Sequence, residues 1–259
     1  MSHRARKRFG QNFLHDPNVI RNIVTAIAPK PGDHIVEIGP GQAALTIPLL
    51  QAAGSMDAIE IDRDLVPIVQ EQCEAYGELT LHNVDALKFD FASLHTDDRP
   101  LRMVGNLPYN ISTPILFHLL ESRSVIKDMN FMLQKEVVDR MASGPGSKTY
   151  GRLSVMLQAY CEVTHLFDIG PGAFKPAPKV DSSIVRLVPR AEKDIAIEDE
   201  ERFAKIVAAS FAQRRKTLRN NLKGLLSESQ IESCEIDPGA RAETLSVDDF
   251  RRLAAYSPD

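Results

Sequence analysis

The sequence predicts a doubly wound α/β domain followed by a small all-helical domain, on three observations. Short apolar runs of strand character alternate with helical periodicity from residue 17 to about 189, an order that places a parallel sheet between two layers of helices. A glycine turn joins the first of these strands to its helix, and no strand pattern follows Val188. At 259 residues the chain is long enough for one large domain and a small one. Its composition, 43% hydrophobic and 25% charged, excludes a mainly disordered protein.

The elements follow in order. Asp16-Pro17 reads as an N-cap with proline at the first helical position, and Val19, Ile20, Ile23, Val24 and Ile27 recur at helical spacing until Pro29-Lys30-Pro31-Gly32 stops the helix. His34 to Ile38 is a short buried strand, Gly39-Pro40-Gly41 a turn, and Leu45 to Leu50 a helix. Strand Met56 to Ile61 and a helix starting near Asp62 come next. Leu79 to Leu81, Arg102 to Val104 and Asn130 to Leu133 are three more strands, with helical runs between them such as Pro114 to Leu120. Right-handed crossovers then give the doubly wound arrangement. Two late strands, near Val163 to Phe167 and Ser183 to Val188, close the region. Beyond Pro189, Phe203, Ile206, Val207, Phe211, Leu218, Leu222, Leu225 and Leu226 keep helical spacing and Leu253 closes a last helix. The expected organisation is a basic arm over 1–16, the α/β domain over 17–189 and a helical domain over 190–259.

Several function classes are excluded. No run of 18 apolar residues exists, so no membrane span or membrane partner is expected, and no apolar stretch follows the basic start, so no secretory signal is read. Cys73, Cys161 and Cys234 show no C-x-x-C spacing, which points to a reducing compartment, the cytoplasm, and to no metal site. The net charge of −4 argues against a nucleic-acid partner until its distribution is considered. Residues 1–21 hold five Arg/Lys and one Asp, and residues 202–227 hold seven Arg/Lys and no acid. Two basic runs on an acidic chain are the footprint of a polyanion partner or, on the plainer reading, solvated surface.

Gly39-Pro40-Gly41-Gln42-Ala43-Ala44 follows a strand, opens a helix and fits G-x-G-x-x-A. Glycines let a ligand approach the backbone, and Glu60, 21 residues beyond Gly39 at the end of the next strand, can accept ribose hydroxyls. Dinucleotides and S-adenosylmethionine both use such a turn. Asp85, just past the third strand, can accept from an adenine amino group or simply cap a helix. With Glu37, Gly39, Gly41 and Glu60 it favours an adenosyl ligand across the strand ends.

Strand four ends in Asn106-Leu107-Pro108-Tyr109, a tetrad similar to the signature of N6-adenine methyltransferases. An adenine N6 is a poor nucleophile because its lone pair is delocalised into the ring. The Asn106 side-chain oxygen and the Leu107 carbonyl can accept both N6 protons and draw the nitrogen towards sp³ geometry. Pro108 fixes the backbone, and Tyr109 offers a stacking face for an extruded base. A plain β-turn is the alternative.

With those residues in view, the chain resembles the bacterial small-subunit ribosomal RNA adenine N6-dimethyltransferase family, nearly end to end. Arg8 to Leu14 resembles its opening motif, in which Asn12 and Leu14 would contact the cofactor, as would Asn106. Glu37 to Gly41 with Leu45-Thr46 is similar to its methionine-binding loop. Phe174 to Ser182 resembles its late loop, where Phe174 would be a second aromatic jaw on the adenine. Ser210 to Leu222 resembles its helical-domain signature. The resemblance implies a Rossmann-like class I methyltransferase domain and S-adenosyl-L-methionine as cofactor. It further implies dimethylation of two adjacent adenosines in a hairpin near the 3′ end of small-subunit rRNA, on an immature 30S particle, by a monomer. Arg6, Lys7, Arg8, Lys175, Lys179, Arg214, Arg215, Lys216, Arg219 and Lys223 are the expected RNA contacts. Lys216, Arg219 and Lys223 are expected on one helical side, flanking the Leu218, Leu222 and Leu225 face. Ala43 stands where many methyltransferases have a third glycine, which is tolerable if its φ is negative.

Alternatives are the sister family acting on large-subunit rRNA and a ribosome-assembly RNA-binding factor with dispensable catalysis. The sister family tends to be strongly basic, whereas the pI here is near 6.0. A DNA adenine methyltransferase and a nicotinamide dehydrogenase fit less well: the first usually has proline at the position of Leu107, and the second leaves the tetrad unexplained.

Overall fold

Asp16 starts the first helix as its sequence context predicts, its carboxylate accepting from the amides of Asn18 and Val19 at 2.8 and 3.3 Å. The computed structural model describes residues 11–256. In chain order the elements are β1 (Phe13–Leu14), α1 (Pro17–Ile27), β2 (His34–Ile38), α2 (Thr46–Ala53), β3 (Ser55–Ile59), α3 (Val66–Cys73) and β4 (Glu78–His82). Then come β5 (Leu101–Asn106), α4 (Ser112–Glu121), β6 (Ile126–Gln134), α5 (Lys135–Ala142), α6 (Arg152–Tyr160), β7 (Cys161–Ile169), β8 (Phe174–Lys175) and β9 (Ser182–Pro189). The helices α7 (Glu192–Ile195), α8 (Glu200–Ser210), α9 (Leu218–Asn221), α10 (Glu228–Ser233) and α11 (Val247–Ala255) complete the chain. They form two units: residues 11–138 with Thr164–Pro189, and Asp139–Val163 with residues 190–256. The second unit thus takes 139–163 in addition to the segment after Pro189.

The first unit is built on a seven-stranded sheet in the order β4-β3-β2-β5-β6-β9-β7. Strands β2 to β6 are parallel, and β9 runs antiparallel to β6 with Phe131 opposite Val185. β2 and β5 are buried along nearly their whole length, as expected of central strands covered by helices on both faces. The chain leaves β2 in one direction along the sheet and returns through β5 in the other. The carboxyl ends of these two strands are therefore the switch point at which such sheets bind ligands. Gly105 lets β5 lie close there, since a Cβ on it would stand 2.5 Å from the Ile38 carbonyl oxygen. At the opposite end, Arg102 pairs with Asp128 through two bonds of 2.9 and 2.7 Å and with Asp33 at 2.6 Å. Its guanidinium also donates to the Ile27 carbonyl, and Arg186 donates to the Ala26 carbonyl. A buried and a half-buried cation thus close the C-terminus of α1.

Several elements lay beyond sequence reasoning, among them a ribbon and a helix. β1 and β8 form a two-stranded antiparallel ribbon, Leu14 opposite Phe174, too short to leave a periodic signal. α6 carries Val155, Met156, Leu157, Ala159 and Tyr160, all buried, so it lacks the polar stripe that marks a helix. The helix expected near Asp62 begins at Val66 instead, because Asp62 is held in a turn with its amide donating to Glu60.

In the second unit, Phe203, Ile206, Val207, Leu218, Leu222, Ile231, Phe250 and Leu253 form the buried core, and among the described residues after Pro189 there is no strand. One expectation is corrected here. Residues 210–226 are not one helix: α8 stops at Ser210, and only Leu218–Asn221 resumes helical form. The Asn221 amide donates to the carbonyls of Ser210 and Gln213, and the amides of Leu218 and Arg219 donate to Ala240 and Pro238. These bonds replace helix continuation. Lys216, Arg219 and Lys223 consequently do not share one helical side, although all three remain exposed.

Candidate active site

At the switch point a cavity of about 290 Å³ opens, lined by residues from β1, the ends of β2 to β5 and the loops that follow them. Ten residues singled out in the sequence line it together: Asn12, Leu14, Gly39, Gly41, Glu60, Asp85, Asn106, Leu107, Pro108 and Tyr109.

The loop after β2 carries its strain openly. Gly39 and Gly41 have φ of 74° and 57°, and Ala43 has φ of 61°. The condition set for an alanine at this position, a negative φ, is therefore not met. The left-handed conformation costs a non-glycine residue roughly 1–2 kcal/mol. Here the Ala43 amide donates to the Pro40 carbonyl at 2.9 Å, and its methyl is fully buried in the core. Gly41 lies close against β1, since a Cβ there would stand 3.2 Å from the Phe13 ring. Its bare backbone faces the cavity.

The charge of the cavity is distinctive. Glu37, Glu60 and Asp85 line it, and none of its described lining residues is Lys, Arg or His. Glu37 is 2% exposed, and its Oε2 has no hydrogen-bond partner. Burial first, and the nearby Glu60 charge second, push its carboxyl up to about 7, while the Thr46 hydroxyl beside it tempers the rise without reaching hydrogen-bond geometry. Glu60 is also pushed up by burial, against backbone amides that favour its charge, among them Asp62 at 2.8 Å. Asp85 receives the Leu87 amide at 3.0 Å, so it is a cap as well as a lining group. An orphaned buried carboxylate oxygen, a carboxylate-rich wall and a glycine floor fit a cationic ligand with a ribose. They do not fit the pyrophosphate of a dinucleotide.

The tetrad is fixed by its surroundings. The Leu107 amide donates to the Met132 carbonyl at 3.2 Å, and the Ile111 amide to the Pro108 carbonyl at 3.1 Å. Asn106 Nδ2 donates to the Asn12 carbonyl at 2.9 Å. That bond uses the amide's donor side and leaves Oδ1 as an acceptor, the role required for an N6 proton. The Tyr109 carbonyl accepts from Ser112, and its hydroxyl shares a hydrogen bond with Ser182 at 3.0 Å.

Other expected site residues lie elsewhere. Phe174 is 3% exposed, packed in the core with Leu14, Ile169 and Ile184, and does not line the cavity, so the structure places it in the core and not at the cavity wall expected of a jaw. Pairing with Leu14 draws it inward. Lys175, the last residue of β8, and Lys179, in the loop that follows, are both exposed. Arg214, Arg215, Lys216, Arg219 and Lys223 are exposed in the second unit, with Arg214 paired to Glu243 and Arg219 to Glu228. Arg6, Lys7 and Arg8 lie outside the described residues.

Sequence reasoning gave no role to Phe13, Gln11 or Ile61, all of which line the cavity. Ile61 is 48% exposed, an apolar surface beside Glu60 on which a flat ring can rest. Its signal was present: an apolar residue directly after the acid at a strand end.

Comparison with known proteins bears on this geometry. The family model described as ribosomal RNA adenine dimethylase matches residues 2–258. A protein of Saccharophagus degradans named ribosomal RNA small subunit methyltransferase A is 55% identical over 252 residues, covering 97% of this chain and 94% of its own. A protein of the same name from Hahella chejuensis is 54% identical over 259 residues, covering 100% and 95%. Among solved structures, a dimethyladenosine transferase from Plasmodium falciparum aligns with a TM-score of 0.78 and 28% identity, over 93% of this chain and 95% of its own. The 23S rRNA methyltransferase ErmE aligns at 0.73 and 26%, over 94% and 98%.

Proposed function

This chain belongs to the ribosomal RNA adenine dimethylase family, and from that premise we propose that the cavity carries out N6-dimethylation of small-subunit rRNA adenosines, with S-adenosylmethionine as donor. The acceptor we propose is a pair of adjacent adenosines in a hairpin near the 3′ end, presented on an immature 30S particle. Identity of 54–55% to small-subunit enzymes, against 26% to ErmE, favours this target over large-subunit rRNA.

One observation carries the chemistry. Asn106 is turned by the Asn12 carbonyl so that Oδ1 is free to accept, at the edge of a cavity whose carboxylates suit a cationic donor. When bound, S-adenosylmethionine supplies an electrophilic methyl on its sulfonium. Glu60 would hold the ribose hydroxyls, Asp85 the adenine amino group and Glu37 the ammonium end, with Ile61 beneath the ring. Asn106 Oδ1 and the Leu107 carbonyl would accept the target's two N6 protons and aim its lone pair, while Tyr109 stacks on the base. The nitrogen gains the methyl and releases one proton to water, so no dedicated base is required. After the first methylation one N6 proton remains, and one acceptor suffices to hold it for the second.

The exposed cations Lys175, Lys179, Arg214, Arg215, Lys216, Arg219 and Lys223 would contact phosphate. Transfer of label from S-adenosylmethionine to immature 30S particles, naked rRNA and DNA tests the proposal. Label in the particles, recovered as dimethyladenosine, supports it. Label in DNA or in large-subunit rRNA alone overturns it.

A further inference from the structure

We infer that Ser182 is a positioning residue for the reaction: its hydroxyl holds the Tyr109 ring in the orientation that receives the target base. This rests on the reading of Tyr109 as the stacking residue. The two hydroxyls lie 3.0 Å apart, and Ser182 is 1% exposed whereas Tyr109 is half-buried at the cavity wall. A tyrosine ring with one face open to a cavity is free to turn about its side-chain bonds unless its far end is tied. A base that meets an untied ring must order it on arrival.

Ser182 is well placed to be the fixed end of such a tie. It begins β9, in register with Gln134 of β6, and the residues on both sides of it are anchored. The Asp181 carbonyl accepts from the Lys135 amide at 3.0 Å. The Ser183 hydroxyl donates to Asp168 at 2.6 Å, and Asp168 is held in turn by Lys135 at 2.9 Å and His165 at 2.7 Å. That support keeps the Asp168 carboxyl down at about 2, with the Ser183 bond the largest cause. The strand end is thus pinned through its neighbours. The Ser182 hydroxyl has Tyr109 as its hydrogen-bond partner, and the Tyr109 backbone is fixed separately by Ser112.

A double-mutant cycle on the full chain tests the inference. The readout is the single-turnover rate of methyl transfer to immature 30S particles at subsaturating particle concentration, with donor affinity and melting temperature measured alongside. Ser182→Ala and Tyr109→Phe should each slow transfer by about fivefold, the worth of one neutral hydrogen bond, without changing donor affinity. The double variant should be no slower than either single one, and Ser182→Thr should restore the rate. Ser183→Ala, which cuts only the support, should lower the melting temperature more than the rate. Multiplying defects in the double variant, or a normal rate for Ser182→Ala, overturns the inference. Tyr109→Ala separates the premise from the inference: if it transfers normally, the stacking role itself is wrong, whatever Ser182 does.

Discussion

Replacing Glu37 by glutamine should remove most of a pH dependence that the first unit carries. Burial, with the Glu60 charge adding to it, raises this carboxyl from an ordinary 4.5 to about 7. Unfolding returns the group to water, so between pH 4.5 and about 7 the folded chain binds more protons than the unfolded one. Its contribution to stability is full below that window, falls as pH rises through it and is flat above. The gap corresponds to about 3 kcal/mol. Asp33 and Asp57 are shifted the other way, Asp33 by Arg102 and the Lys30 amide, and Asp57 by His34 and His82. Their contributions are lost only as pH falls below the ordinary carboxylate range, so they leave this window clear. Urea unfolding of the ligand-free protein at pH 5 and pH 8 measures the effect. The wild type should be less stable at pH 8 by about 3 kcal/mol. Glu37→Gln should show only the smaller fall contributed by Glu60, and should exceed the wild type at pH 8. Equal pH dependence in the two proteins would refute the reasoning, because the burial of Glu37 would then carry no electrostatic penalty.

Three further outcomes follow from other parts of the molecule. Glu60→Gln keeps the shape of the side chain and removes its charge, and should weaken S-adenosylmethionine binding by about 1.5–3 kcal/mol in calorimetry; unchanged affinity would place the ribose elsewhere. Arg102→Met leaves Asp33, Asp128 and the end of α1 without their shared cation, and should cost about 3–5 kcal/mol, read as a melting temperature lower by roughly 10 °C or more. Reversing Arg215, Lys216 and Arg219 to Glu should abolish binding to immature 30S particles, each lost phosphate contact having contributed about 0.7–0.9 to the slope of log affinity against log salt. Donor affinity in that variant should not change, and normal particle binding would reduce these exposed cations to solvated surface.

The parts of the fold that were legible in the sequence are those with local causes. The Asp16-Pro17 cap, the stop at Pro29 to Gly32, the five parallel strands and the glycine turn each follow from a few adjacent residues, and the structure has them. The parts that were not legible depend on partners distant in sequence. The resemblance makes Phe174 an aromatic jaw, and only its pairing with Leu14, 160 positions earlier, shows that it packs in the core. The cations after Ser210 share helical spacing, but Asn221 and the 238–240 backbone take the bonds that a continuous helix would need. Ala43 is the converse case: a residue whose own preference is for negative φ sits at 61° because its buried methyl and the Pro40 bond hold it there. At the site, the carboxylates and the tetrad were readable because their chemistry is in their residue types. The Asn12 carbonyl that turns Asn106 was not, since a backbone acceptor leaves no trace in the sequence.

The most direct test of the central claim is to determine which nucleosides the chain makes in small-subunit rRNA. Expressed in bacteria lacking their own dimethyltransferase, the wild-type chain should yield rRNA containing N6,N6-dimethyladenosine at two adjacent positions near the 3′ end, detected by mass spectrometry of rRNA fragments. The Asn106→Ala variant, which loses the side-chain acceptor, should yield unmodified adenosines at both positions while remaining folded. Dimethyladenosine formed equally by the variant, or none formed by the wild type, would contradict the account.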